Sequence, residues 1–289
     1  MSCVCLSGGA CPAHLSMIDL AIIGSGLVLS TAIGGLAYWR KSLSVSGWLG
    51  AILVGTLTLG FGGWAWGLTL IIFFISSSLL SRYKEQIKEK RAAEKFEKGG
   101  KRDFSQTMAN GGMSALCAVA YGLTDKPLVL LAAFIGLMAT VNADTWATEL
   151  GVLSPHKPRL ITTGREVEPG TSGGITLFGS SAAALGAALI GICLFVLLIL
   201  AKVPAPAWVI PAAIAGGFGG AMLDSLLGAT YQAIYAYSDG RETERRFDRR
   251  GNPTTFVRGW PWLNNDVVNL SSSVGGALIA ILVMVAFGG

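Results

Sequence analysis

Apolar residues come in blocks along this chain, near 17–38, 46–80, 106–122, 128–148, 172–200, 207–232 and 266–287, separated by short polar or strongly basic stretches. Most blocks run to roughly 20 residues, the length at which an α-helix crosses the hydrocarbon core of a bilayer. The second is 35 residues, too long for one span, and Gly60-Phe61-Gly62-Gly63 interrupts it just before Trp64 and Trp66. A glycine-rich turn flanked by interfacial aromatics predicts a tight hairpin of two short helices there. The pattern predicts an all-α polytopic membrane bundle of 7–8 spans, forming a single membrane domain over 1–289. The first block has no basic residues before it and no small-residue cleavage site after it, so it reads as a retained helix.

Composition strengthens this reading. Apolar residues are 52% of the 289 and charged residues only 13%, against about 25% charged in ordinary globular chains. The mean hydropathy is +0.58, and the 39 glycines suit closely packed membrane helices. These values exclude a disordered chain, a disulfide scaffold and a soluble nucleic-acid binder. Cys117 and Cys193 lie inside apolar blocks as core thiols. Cys3, Cys5, Cys11 and His14 leave open a small metal cluster or a lipidation site, although their spacing fits no zinc pattern.

The net charge of +5 has its explanation in topology. With eight segments, 20 of the 22 Lys and Arg fall on one face, and only Lys126 and Lys202 fall on the other. The positive-inside rule makes the rich face cytoplasmic and puts both termini outside. Residues 81–103, 152–171 and 233–263 then form cytoplasmic loops, and about 1–16 a short external segment, of a protein expected in a bacterial inner or plasma membrane with its active-site face cytoplasmic. The 81–103 loop mixes signs at helical spacing, with Glu85 and Lys88, and Glu94 and Lys98, placed to pair. It reads as a solvated helix extending the third span, from which Lys84 can reach anionic head groups.

Ionisable residues within spans are costly unless paired or functional, and few occur here. Asp144 and Glu149 end the fifth segment in N-A-D-T-W-A-T-E-L-G. Asp224 lies in the seventh, in M-L-D-S-L-L-G-A-T-Y-Q, and Asp266 opens the eighth, in N-N-D-V-V-N-L-S-S-S. All four fall in the cytoplasmic half. Asn265 and Asn269, and Gln106 and Asn110, are four apart and share helix faces. Asp144 and Glu149 are five apart, about 140° around a helix, and share a site only where the helix breaks, or else Thr145 or Thr148 completes the face. Hard oxygen donors without His or Cys suit Mg²⁺, which takes one or two carboxylates and fills its shell with phosphate and water. The alternative is that these groups only bond between helices. The two Asp motifs also suggest an internal repeat, in which two helical pairs each contribute one carboxylate.

The loop between the fifth and sixth segments carries Lys157, Arg159 and Arg165 with the hydroxyls of Thr162, Thr163, Thr171 and Ser172. Thr171-Ser172-Gly173-Gly174, read as a helix N-terminus, forms a phosphate cradle. Equally, the loop is a basic positive-inside segment with an N-cap. It holds no Walker sequence.

The motifs N-A-D-T-W-A-T-E-L-G, P-R-L-I-T-T-G-R-x-V-x-P-G-T-S-G-G, L-D-S-L-L-G-A-T-Y-Q and N-N-D-V-V-N, in this order, resemble the transmembrane protein 19 family, which includes plant and cyanobacterial phytyl-phosphate kinases. The resemblance implies Mg²⁺-dependent phosphoryl transfer from a nucleoside triphosphate, CTP preferred, to a prenyl monophosphate, giving the diphosphate used in tocopherol synthesis. Its implied site is Asn142, Asp144 and Glu149, the 159–174 loop, Asp224 with Gly228, and Asn265, Asp266 and Asn269. On this hypothesis Asp144 and Asp224 hold Mg²⁺, and Lys157, Arg159 and Arg165 neutralise the phosphates. The competing class is a transporter of a small or lipid-linked anion, because paired helices, a broken hairpin and intramembrane carboxylates are also transporter features. The chain specifies no oligomeric state.

Overall fold

The computed structural model describes residues 20–92, 101–125, 127–248 and 250–287. The chain runs through α1 (Leu20–Trp39), α2 (Val45–Gly62), α3 (Trp64–Arg82), a short α4 (Glu85–Ala92), α5 (Phe104–Leu123), α6 (Leu128–Gly151), α7 (Leu177–Leu200), α8 (Val209–Thr230) and α9 (Asn265–Phe287). Seven of these helices are long and apolar enough to cross a membrane. The exception among the long helices is α5, which carries Gln106, Thr107, Asn110 and Ser114. Cys3, Cys5, Cys11, His14, the 1–16 segment, the Glu94–Lys98 pair and Lys126 lie outside the described residues.

The long second block is two antiparallel helices. The chain reverses at Gly63, whose φ of +83° is a backbone conformation that side chains disfavour. Arg82, ending α3, then donates to Ser42 Oγ at 2.9 Å and to the Arg40 carbonyl, just before α2 begins.

Helix α6 is the axis of the bundle. Every residue from Leu131 to Ala143 is buried, as expected of a helix apolar all round. Trp66 of α3 stacks on its Phe134 at 4.1 Å between ring centroids and lies 4.7 Å from Tyr121 of α5. Where α6 meets α8 and α9, small residues let backbones touch. A Cβ on Gly136 would come within 2.6 Å of the Gly276 carbonyl, and Thr140 Oγ1 donates to the Gly216 carbonyl at 3.1 Å.

The loops at the basic end depart from the sequence expectation in three ways. First, α4 does not extend α3 as a solvated helix. Lys84, at φ +51°, breaks the run, and α4 folds back so that Lys88 Nζ donates to the Leu80 and Ser81 carbonyls at 2.7 Å. Lys88 therefore spends its charge on the end of α3 and on Glu149, not on Glu85. Second, α7 begins at Leu177, capped by Thr176 Oγ1 accepting from Gly179 N at 2.9 Å. Thr171–Gly174 is a turn before it, and the pairing of β1 (Arg159–Leu160) with β2 (Gly174–Ile175) fixes that register. Third, the 233–263 loop folds into an antiparallel sheet of order β4 (Glu242–Thr243), β3 (Ile234–Ala236), β5 (Thr255–Arg258). Tyr231, Trp260 and Trp262 stack beside it, exposed, in the manner of an interfacial aromatic belt.

Candidate functional site

Asp144 is the first residue of α6 past its buried stretch, about 24 Å along the helix from Leu128 and so toward the basic end. Asp224 occupies a similar depth on α8. The two are electrostatic neighbours, and Glu244, just after β4, also acts on Asp144. Ser272 Oγ of α9 donates to Asp224 Oδ2 at 3.0 Å. Among the described residues no hydrogen bond or ion pair ties down the Asp144 carboxylate, and no ion pair reaches Asp224. Two carboxylates held together on separate helices without a basic partner repel each other, and a cation between them relieves that repulsion.

The donor set fits Mg²⁺. Both groups are hard oxygen ligands, and Mg²⁺ takes only one or two carboxylates; they form no group of three or more His, Cys, Asp or Glu that could hold a metal among the described residues. Mg²⁺ would be held by Asp144 and Asp224, with phosphate and water supplying its remaining ligands.

The other two carboxylates serve elsewhere. Helix α6 runs unbroken through Gly151, so Glu149 turns away from Asp144. It accepts from Ser81 Oγ at 2.5 Å and pairs with Lys88 Nζ at 2.5 Å, clasping the ends of α3, α4 and α6 together. Asp266 is buried and accepts from Ser105 Oγ at 2.8 Å, joining the starts of α9 and α5. Its position in the first turn of α9 also suits the helix dipole.

The expected supporting groups divide similarly. Gln106 is spent on a capping box with Asp103 at the start of α5. Asn142 ties three helices, donating to the Gly186 carbonyl at 2.7 Å and accepting from Ser76 Oγ at 2.9 Å. Asn265 and Asn269 lie half-buried on the first turns of α9. Asn110 faces an apolar cavity bordered by α2 and α3.

The expected phosphate cradle is not a helix N-terminus. Gly173, at φ +80°, presses its Cα against the end of α8, where a Cβ would fall 2.6 Å from Ala229 N. Gly228 faces the same contact, so both glycines serve a close approach. Ser172 Oγ donates to Gln232 Oε1 at 2.7 Å and lies 3.2 Å from Glu244 Oε1, which brings this turn to the third carboxylate. Lys157 pairs with Glu168 at 3.1 Å and Arg159 with Glu166 at 2.9 Å, all exposed. Arg165, Thr162 and Thr163 form the exposed tip.

Three participants escaped the sequence reading. Ser272 sits in an S-S-S run with nothing to single it out. Glu244 is one charge among many in R-E-T-E-R-R. Gln232, buried with its Nε2 lacking a partner among the described residues, follows α8 by two residues.

Comparison with known proteins agrees with the architecture. A family model described as "Integral membrane protein DUF92" matches residues 28–277. The chain is 36% identical to protein PGR of Arabidopsis thaliana over 266 residues, covering 85% of this chain and 90% of that protein. It is 34% identical to an uncharacterized membrane protein of Methanocaldococcus jannaschii, covering 84% of this chain and 86% of that protein. It is 28% identical to protein VTE6, chloroplastic, of Arabidopsis thaliana, covering 83% of this chain and 65% of that protein. No solved structure matches.

Proposed function

The chain belongs to the integral membrane protein DUF92 family, and from that membership and its paired aspartates we propose that it transfers a phosphoryl group from a nucleoside triphosphate, CTP favoured, to a membrane-embedded prenyl monophosphate such as phytyl phosphate. The observation that carries this reading is the Asp144–Asp224 pair, two carboxylates on different spans in one field with no basic partner among the described residues. Protein VTE6, chloroplastic, is a distant relative, and the motif resemblance to the phytyl-phosphate kinases supports this chemistry.

In this reading Asp144 and Asp224 hold Mg²⁺, and Ser272 fixes the orientation of Asp224. Bound Mg²⁺ supplies charge neutralisation to the triphosphate oxygens. Lys157, Arg159 and Arg165 offer cations to the same phosphates. The first two are held by exposed pairs, which are weak enough for a triphosphate to displace. An acceptor phosphate oxygen forms the new bond to phosphorus as the bond to the departing nucleoside diphosphate breaks. With its second ionisation near about pH 6, that phosphate needs no general base, which suits a site without a histidine. By the positive-inside rule the basic end faces the cytoplasm, where a soluble nucleotide meets a bilayer-borne acceptor. A transport site would sit near the midplane, whereas both aspartates lie toward the basic end.

The test is equilibrium binding of a fluorescent CTP analogue to the purified protein with and without Mg²⁺. The proposal expects Mg²⁺-dependent binding that Asp144→Asn removes. Binding indifferent to both metal and substitution contradicts it.

A further inference from the structure

Apart from the aspartate pair, the bundle contains an apolar cavity between α1, α2, α3 and α5, with an empty volume of about 760 Å³ counted to its mouth. Its wall on α3 is a helical stripe, Leu70, Ile71 and Phe74, while Ile33 closes it from α1 and Val54 from α2. The charged side chain in this lining is Arg102.

Arg102 is held in place by backbone structure. Its N–H donates to the Ser42 carbonyl at 3.1 Å, and its carbonyl accepts from Ser44 N at 3.0 Å. The close approach requires Gly47, where a Cβ would collide with the Arg102 carbonyl. The guanidinium has no hydrogen bond or ion pair among the described residues; its neighbours are the Phe73 and Phe74 rings at 5.7 and 5.9 Å. Burial pulls its pKa below the ordinary arginine value, and the Glu149 carboxylate offsets part of that. An arginine fixed at an apolar cavity with its donors unspent is suited to an anionic head group, and phosphate is the anion its planar fork fits best. Asn110, also lacking a partner among the described residues, adds a polar group to the same lining.

We infer that this cavity binds one isoprenoid monophosphate, the chain lying among α1, α2, α3 and α5 and the phosphate on Arg102. The identity of the chain rests on the proposed function; the site itself does not require turnover.

The experiment is saturation binding of labelled geranylgeranyl monophosphate to the full-length protein in detergent, without nucleotide or metal. Geranylgeraniol and dioleoyl phosphatidate serve as competitors, and melting curves confirm the fold of each variant. The expected result is saturable binding, weakened about tenfold or more by Arg102→Gln and by Ile33→Trp, which fills the cavity and leaves the arginine in place. Arg102→Lys retains part of the affinity, and both competitors displace the ligand poorly. Binding unchanged in both Arg102→Gln and Ile33→Trp overturns the inference, as does equal displacement by phosphatidate or the alcohol. Asp144→Asn leaves this binding intact. Binding of this pattern in a protein that never transfers phosphate defeats the catalytic reading alone, and transfer with lipid binding indifferent to both cavity variants defeats the cavity alone.

Discussion

Ser272 Oγ donates to Asp224 Oδ2 at 3.0 Å, so α9 fixes the carboxylate that α8 presents to Asp144 on α6. Three helices thus determine where one oxygen points. Replacing Ser272 with alanine leaves both aspartates present and loosens one of them. Losing a hydrogen bond to a charged group costs about 1.5–3 kcal/mol. The expected outcome of Ser272→Ala is therefore a rise in the Mg²⁺ concentration needed for half-maximal transfer, with the fold retained. An unchanged metal dependence would remove Ser272 from the site.

Asp144→Asn and Asp224→Asn each remove a proposed metal oxygen and relieve the repulsion within the pair. Both variants are expected to fold at least as well as the parent, and transfer should drop about a hundredfold or more. Melting curves alongside label transfer check both halves of the prediction.

Glu149 and Lys88 test the opposite role. Their pair is mostly enclosed, with side-chain exposures of 22% and 12%, and Lys88 also caps α3. Lys88→Ala leaves a carboxylate uncompensated, a loss of about 3 kcal/mol for a buried pair. Adding Glu149→Gln to Lys88→Ala should recover part of that stability. Strictly additive losses in a double-mutant cycle would show that the two do not couple.

Gly173→Ala places a Cβ 2.6 Å from Ala229 N at a φ of +80°. Each such strained residue costs on the order of 1–3 kcal/mol, and here the Ser172–Glu244 contact should shift with the turn. Transfer is expected to fall more than thermal stability. A variant with full activity would separate this turn from the chemistry.

Much of the fold could be read in the hydropathy pattern, because the bilayer demands long apolar helices and the chain reports them directly. Gly63 marked the hairpin correctly, since a reversal between two spans needs a residue that tolerates positive φ. Asp144 and Asp224 stood out because charges within spans are rare. Glu149 and Asp266 stood out for the same reason, yet their partners, Lys88 and Ser105, lie 61 and 161 residues away, and only tertiary packing shows that they clasp helices. The start of α7 was misplaced because Thr171 and Thr176 both resemble N-caps, and the β1–β2 pairing decides between them. Glu244 was hidden in a loop whose small sheet, absent from any periodic pattern, carries it to Asp144.

The most direct measurement is phosphoryl transfer itself, using purified protein, γ-labelled CTP, ATP and UTP, Mg²⁺, and a panel of prenyl monophosphates and alcohols. The account predicts label in a prenyl diphosphate, with CTP the best donor and the signal lost in EDTA and in Asp144→Asn. Full transfer by both Asp144→Asn and Asp224→Asn, or no transfer to any acceptor on the panel, would contradict it.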